Sequence, residues 1–320
     1  PTSRQILENL TEMGMLGKLI RAGGRIHQAG CNGCIGMGQA PATGRISLRT
    51  VPRNFPGRSG TKEDQVYLCS PETAAASALA GVITDPRTLE MKYPRFTEPE
   101  RLIINTNMLV PPAPDEAEVR LEKGPNIAPL PRFDPLPDTI EGPVLLKLGD
   151  NISTDEIMPA GQQVLPYRSN IPAISKFTFA QIDENYHERA MKYARSGSLI
   201  VGGKNYGQGS SREHAAIAPR YLGLKAIIAK GFARVHRQNL LNFGVLPLIF
   251  VNPADWEKID QNDVLVLSGL GEAIRSGNQV KVINKTKEET YITEHAMTER
   301  QMEMVSAGSL INLMRERHHQ

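Results

Sequence analysis

The chain has 320 residues, 40% of them apolar and 22% charged, with a formal net charge of +3 and three cysteines. That length and composition allow one large or two ordinary domains with a sizeable core. They exclude a strongly basic nucleic-acid arm, an apolar span of roughly 18 residues that would cross a membrane, and a disulfide scaffold. Three cysteines suit a reducing compartment, so a cytoplasmic setting is expected. No signal or transit peptide is seen. The chain opens Pro1-Thr2-Ser3 without an initiator Met, which reads as a fragment or a trimmed chain.

Apolar residues from Ile6 to Ile20 recur at helical spacing, which predicts one opening helix. Thr2 and Gln5 would form its capping box, and Gly23-Gly24 would end it. An Ala-rich helix is predicted over 71–80, with Ser70 as N-cap, Pro71 at the first position and Gly81 just past its end. Nine prolines lie between Pro111 and Pro143. Such a stretch is expected to be neither helix nor central strand, so residues 116–142 read as an extended linker. It would divide a domain over 1–115 from one over 143–320. The second half alternates strands at 144–148, 198–201, 225–229 and 245–251 with helices at 211–221 and 233–242. This is an α/β pattern with a partly parallel sheet. Short β segments follow at 264–267, 279–283 and 290–293. A last helix is capped by Thr298 with Gln301 three residues on.

Four segments carry chemistry. In Gly30-Cys31-Asn32-Gly33-Cys34-Ile35-Gly36, two thiols three residues apart on a Gly-rich turn can converge on one soft metal centre. A redox pair, a zinc site using His27 or Cys69, and two plain reduced thiols stay open. In Val201-Gly202-Gly203-Lys204-Asn205-Tyr206-Gly207-Gln208-Gly209-Ser210-Ser211-Arg212-Glu213-His214, a strand enters a Gly-rich turn before a helix. A helix start near Ser211 would favour an anion. The segment is no P-loop, dinucleotide fingerprint or nucleophile elbow. A helix cap accounts for one serine, but not for two serines with an adjacent arginine. The turn Arg53-Asn54-Phe55-Pro56-Gly57-Arg58 offers two guanidinium groups that can clamp a carboxylate, or simply face solvent. The fourth segment is Gly149-Asp150-Asn151-Ile152-Ser153-Thr154-Asp155-Glu156, with Arg168 beyond it. It can equally be an ordinary Asx-rich loop.

Taken in chain order, the four segments resemble the aconitase superfamily, and 229–240 is similar to that family's swivel domain. The resemblance implies an α/β fold class: a remnant of a three-layer α/β domain joined by a Pro-rich linker to an α/β swivel domain. It implies a hydro-lyase that interconverts citrate and isocitrate through cis-aconitate, with a [4Fe–4S] cluster as Lewis acid. By position Cys31 and Cys34 match two cluster ligands, the third lying outside this chain. Ser210 matches the catalytic base and Asp155 a residue orienting the site. Arg53, Arg58, Arg168, Ser211 and Arg212 match the groups that grip the tricarboxylate. Cys69 matches no ligand. The implied partners are that tricarboxylate and a missing N-terminal half, with no membrane or nucleic acid. The fragment alone is expected to be inactive. Dehydratases of isopropylmalate or homocitrate, an RNA-binding role and a free-standing swivel subunit are the alternatives. Arg168 favours a tricarboxylate.

Overall fold

The computed structural model describes residues 1–318 except 31–32, 36–39, 52–53, 55–62, 96, 115–118 and 161–163, with the backbone alone at Ile35. The chain divides into two compact units, Pro1–Val119 and Arg120–Gln320.

The first unit opens with α1 (Arg4–Glu12) and α2 (Met15–Arg21), where the apolar spacing predicts one helix. Gly14 between them takes φ +68°, a left-handed turn that hydropathy spacing does not encode. Ser3, not Thr2, caps α1 by accepting from the Ile6 N–H at 3.2 Å. Two four-residue parallel strands follow, β1 (Ile46–Arg49) and β2 (Gln65–Leu68). Helix α3 (Pro71–Ala80) has the expected punctuation: Ser70 accepts from Thr73 N–H at 3.1 Å, and Gly81 closes the other end in the left-handed region. The side-chain amide of Asn9 on α1 bonds both ways to the backbone of Ile103. Among the described residues of this unit, Val66 and Ala76 are the buried apolar side chains.

The second unit runs β3 (Ile140–Lys147), α4 (Thr154–Ile157), α5 (Ile171–Ile174), α6 (Tyr186–Met191), β4 (Ser198–Gly202), α7 (His214–Tyr221), β5 (Leu224–Ala229) and α8 (Arg234–Asn242). It continues through β6 (Leu246–Phe250), α9 (Asp255–Lys258), β7 (Val264–Leu267), α10 (Leu270–Ser276), β8 (Gln279–Asn284), β9 (Glu289–Glu294), α11 (Glu299–Ser306) and α12 (Leu310–His318). The strands form a closed barrel in the order β3-β4-β5-β6-β9-β8-β7. The steps from β3 to β6 are parallel and the remaining pairs antiparallel, so the sheet is partly parallel as expected.

Alternation along each strand builds two cores. Leu199, Val201, Ala226, Ile228, Leu246 and Leu248 pack with Ile274 of α10 and Val305 of α11. Ile200, Ile227 and Ala229 face the other way, against Ala215 to Ala218 of α7 and Leu240 of α8. Because both faces are covered, β4 reads as a continuous apolar run. No helix among the described residues is long and apolar enough to cross a membrane.

The boundary between units falls at Val119 and Arg120, so most of the 116–142 stretch goes with the second unit. Arg220 donates to Asp134 O at 2.9 Å, the Leu136 N–H to Ser306 O at 3.1 Å, and the Gly271 N–H to the Asp138 carboxylate at 2.9 Å. Strand β3 begins at Ile140 and contains Pro143, where a strand was expected only from 144. The Val144 N–H turns to Asp263 O, so Pro143, one residue earlier, has its donorless side toward β4. There the ladder begins only at Val144↔Leu199, and no bond is lost.

Candidate active site

Two loops of the second unit are laced together. The Gly207 and Gln208 N–H groups both donate to Ile152 O, at 2.8 and 3.1 Å, and the Thr154 N–H donates to Gln208 O at 2.8 Å. The Asn151 N–H reaches Lys204 O at 2.8 Å, and the Lys204 N–H returns to the Asp150 carboxylate at 2.7 Å. An amide network adds to this: Asn205 Nδ2 donates to Asn151 Oδ1 and Gln208 Oε1, and Gln208 Nε2 to Asn151 O. The 149–156 segment is therefore more than an ordinary Asx-rich loop. It is the bed on which the Gly-rich loop lies.

Asp155 sits in α4, a single turn held by a full capping box between Ser153 and Glu156. Its carboxylate pairs with Arg212 Nη1, which also donates to Met158 O at 3.1 Å. The side-chain bonds of Arg212 to described residues all leave from Nη1, so among those residues Nε and Nη2 form an uncommitted edge. A planar fork of that kind fits a carboxylate through two parallel hydrogen bonds.

Ser210 is held by its backbone. Its carbonyl accepts from Thr154 Oγ1 at 3.0 Å and from the Arg212 N–H at 2.8 Å. Helix α7 opens at His214 with Glu213 at its N-cap and no side-chain cap bond, three residues later than the expected start at 211. The tight turn from Ser210 to Arg212 delays it, and helical bonding begins only with Ala215 N–H to Arg212 O. This corrects the expected helix start near Ser211, because the free N–H groups of the helix end lie about three residues further along the chain. It also removes the helix cap as an explanation for either serine.

Gly207 takes φ +79° and Gly209 φ +100°. A Cβ at 207 would fall on the ring of His236, a buried histidine of α8 under the loop. Burial pushes the His236 imidazole down to about 4. Arg168 ends a 3-10 turn over Leu165–Tyr167 and is exposed. Its carbonyl lies 2.7 Å from His214 Nε2. The structure thus brings Asp155, Ser210, Ser211 and Arg212 onto two paired loops and ties the Arg168 backbone to the end of the same segment.

In the first unit Cys34 lies half-buried in a 3-10 turn over Gly33–Ile35, and Arg49 of β1 donates to the Gly33 carbonyl. Asn54 Nδ2 donates to Val66 O of β2 at 3.3 Å. Cys31, Arg53 and Arg58 lie outside the described residues. Among the described residues no group of three or more His, Cys, Asp or Glu side chains is arranged to hold a metal ion. Two thiolates three residues apart have the donor chemistry for two of an iron–sulfur cluster's cysteine ligands. Thr154 and His214 brace the paired loops of the second unit, Arg49 braces the Cys34 turn of the first, and the sequence motifs assign none of them a role. Thr154 and His214 stand inside those motifs, but nothing in their spacing announces a bond to a backbone carbonyl far along the chain.

Residues 1–81 match the family model described as the aconitase family (aconitate hydratase), and 167–253 match the aconitase C-terminal domain. The chain is 32% identical over 370 residues to a protein of Aspergillus fumigatus named as a putative mitochondrial aconitate hydratase, an alignment covering 100% of this chain and 46% of that protein. The chain belongs to the aconitase family.

A mitochondrial aconitate hydratase of Gracilaria gracilis is 31% identical over 98% of this aconitase-family chain and 46% of its own length. The chain therefore spans about half the length of the curated relatives it matches. A solved 3-isopropylmalate dehydratase from Methanocaldococcus jannaschii is 31% identical, covering 57% of this chain and 96% of its own, with a TM-score of 0.46. The cytoplasmic setting expected from the cysteine count is corrected by the curated relatives, which are named as mitochondrial proteins. Reduced thiols report a reducing compartment without saying which one.

Proposed function

We propose that this aconitase-family chain is part of a hydro-lyase that interconverts citrate and isocitrate through cis-aconitate. In this reading it works in the mitochondrion, as its named relatives do. The observation that carries the reading is that Ser210 and Ser211 do not cap α7. Two serines sit in a glycine-bearing turn, Ser210 with its carbonyl fixed by Thr154 and Arg212, beside an arginine whose Nε and Nη2 bond to none of the described residues.

In this reading Arg212 and Arg168 bind carboxylates of the tricarboxylate, and Ser211 donates a hydroxyl to one of them. Arg53 and Arg58 of the first unit add further carboxylate contacts. Asp155 holds Arg212 by one nitrogen and so aims the opposite edge of the guanidinium. Ser210 Oγ takes the proton from the substrate carbon. A serine hydroxyl is a poor base in water, so its ionised form needs a fixed positive neighbour and excluded solvent. Arg212, anchored on Met158 O and Asp155, is that neighbour. Cys31 and Cys34 supply two thiolate ligands of a [4Fe–4S] cluster, and the third comes from outside this chain. When bound, the cluster supplies Lewis acidity toward the substrate hydroxyl and carboxylate.

Two experiments test this. The full-length enzyme is assayed with citrate and with isopropylmalate, and preference for isopropylmalate would overturn the tricarboxylate reading. The 320-residue chain is also reconstituted with iron and sulfide under anaerobic conditions. It is expected to hold no intact cluster, because a missing thiolate removes much of the site's affinity. Recovery of about four irons per chain would show that the cluster assignment is wrong.

A further inference from the structure

We infer that His214 is a positioning residue that fixes the backbone of Arg168 relative to the segment that carries Arg212. This rests on the tricarboxylate reading above for its purpose, but not for its geometry. His214 is the first residue of α7, a helix buried from Ala215 to Arg220 and packed against α5, so its backbone is a rigid base. Its Nε2 lies 2.7 Å from the carbonyl of Arg168, 46 residues earlier. A carbonyl only accepts, so Nε2 carries the hydrogen and donates. Arg212 stands two residues before His214, and the two arginines are thereby linked through one imidazole.

The surroundings explain why this bond matters. Arg168 is exposed, at the end of a 3-10 turn closed by its own N–H to Leu165 O at 3.2 Å. Neighbouring residues are pinned: the Ser169 carbonyl accepts from the Ala128 N–H at 2.9 Å, and Asn170 caps α5 through the Ala173 N–H at 3.1 Å. Tyr167 stacks on Phe177 with ring centroids 6.1 Å apart. At Arg168 itself the tie to the Ser210 segment is His214. A substrate gripped by two guanidinium groups tolerates little drift between them, and a displacement of about 1 Å can cost on the order of a hundredfold in rate.

The test uses side chains that differ in where they put a donor. In His214→Gln the amide nitrogen reaches about as far as imidazole Nε2 does, whereas in His214→Asn it falls short. In the 320-residue chain, hydrogen exchange at the Arg168 and Asn170 amides is compared for wild type, His214→Asn and His214→Gln. His214→Asn is expected to speed exchange there about tenfold, and His214→Gln to restore protection. Citrate is then titrated into each protein and followed in amide spectra. With His214→Asn, the response at Arg168 should be lost and the apparent Kd should rise about tenfold, while the response at Arg212 persists. Unchanged exchange in His214→Asn, or equal loss in His214→Gln, overturns the inference. The exchange comparison decides the role of His214 whatever the response to citrate, and the tricarboxylate reading stands or falls separately with the assay of the full-length enzyme.

Discussion

Arg212 and Asp155 stand 57 residues apart in sequence and meet through one guanidinium nitrogen, which also reaches Met158 O. The arginine side chain is 16% exposed and the aspartate 32%. Removing the aspartate leaves a largely buried cation without its counter-charge. A fully buried pair broken this way costs roughly 3–5 kcal/mol, and partial exposure lowers that toward about 1–2 kcal/mol. Asp155→Ala should therefore lower the urea midpoint of the chain, and Asp155→Asn should lower it less because the amide oxygen still accepts. Equal midpoints for wild type and Asp155→Ala would mean that the pair does not hold the loops together.

Ser210 offers a cleaner separation of stability from chemistry. Its described hydrogen bonds run through the carbonyl, which survives substitution. Ser210→Ala in the full-length enzyme should change stability by less than about 0.5 kcal/mol. Its kcat should fall by about 10² to 10⁴ with little change in KM, as expected for loss of a general base. Near-normal kcat would leave the hydroxyl without a role in proton transfer.

Gly207 and Gly209 both take positive φ, but their surroundings differ. A methyl at 207 meets the His236 ring, whereas at 209 the nearest atom is Thr154 Oγ1 at 3.4 Å. Gly209→Ala should cost about 1 kcal/mol from backbone strain alone. Gly207→Ala adds a steric clash inside a packed core and should cost about 3 kcal/mol or more. Thermal or urea unfolding of the two variants ranks them, and the reverse order would show that the loop does not rest on α8 as described.

His236 also sets a pH dependence. Neither ring nitrogen has a hydrogen-bond partner among the described residues, and burial holds the folded-state value at about 4 against 6.5 unfolded. Above pH 6.5 both states are neutral at this residue, and its contribution to the pH dependence is flat. As pH falls from 6.5 toward 4 the unfolded chain takes up a proton that the folded chain refuses, and stability is lost. The full difference corresponds to about 3 kcal/mol. Buried His295 is shifted down for the same reason and adds to the slope. Urea midpoints measured across this window should flatten in part in His236→Leu. A slope identical to wild type would place the acid sensitivity elsewhere.

Local chemistry was legible in the sequence wherever it acts over a few residues. The Ser70 cap, the Thr298–Gln301 capping box and the strand at 264–267 depend on near neighbours and appear where spacing puts them. The split at Gly14 and the late start of α7 turn on single backbone torsions, which apolar periodicity does not sense. Strands β1 and β2, four residues each, carry little alternation to detect. Helix α12 lies beyond the helix that the spacing marks as the last. For the candidate site, the motifs single out Asp155, Ser210 and Arg212 one by one. The pairing of Asp155 with Arg212, and the hold of His214 on Arg168, join residues 57 and 46 positions apart, where no local rule operates.

Barrel closure sets a timetable for synthesis. Strand β3 is hydrogen-bonded on one side to β7 in the register Ile140↔Leu267 to Pro143↔Val264. A nascent chain that has already made β3 must wait for that partner, and at roughly 5–20 residues per second the interval is on the order of 6–25 s. During it the β4 and β5 hydrophobic runs have been made but cannot yet be sealed into a closed barrel. Closure also needs β8 and β9, which stand between β7 and β6 in the barrel, so the ring can be sealed only once residue 294 has been made, just before α11. Ribosome-bound chains arrested a few tens of residues either side of that point should differ sharply in protease resistance, because the long-range pairing that limits folding of such topologies becomes possible only there.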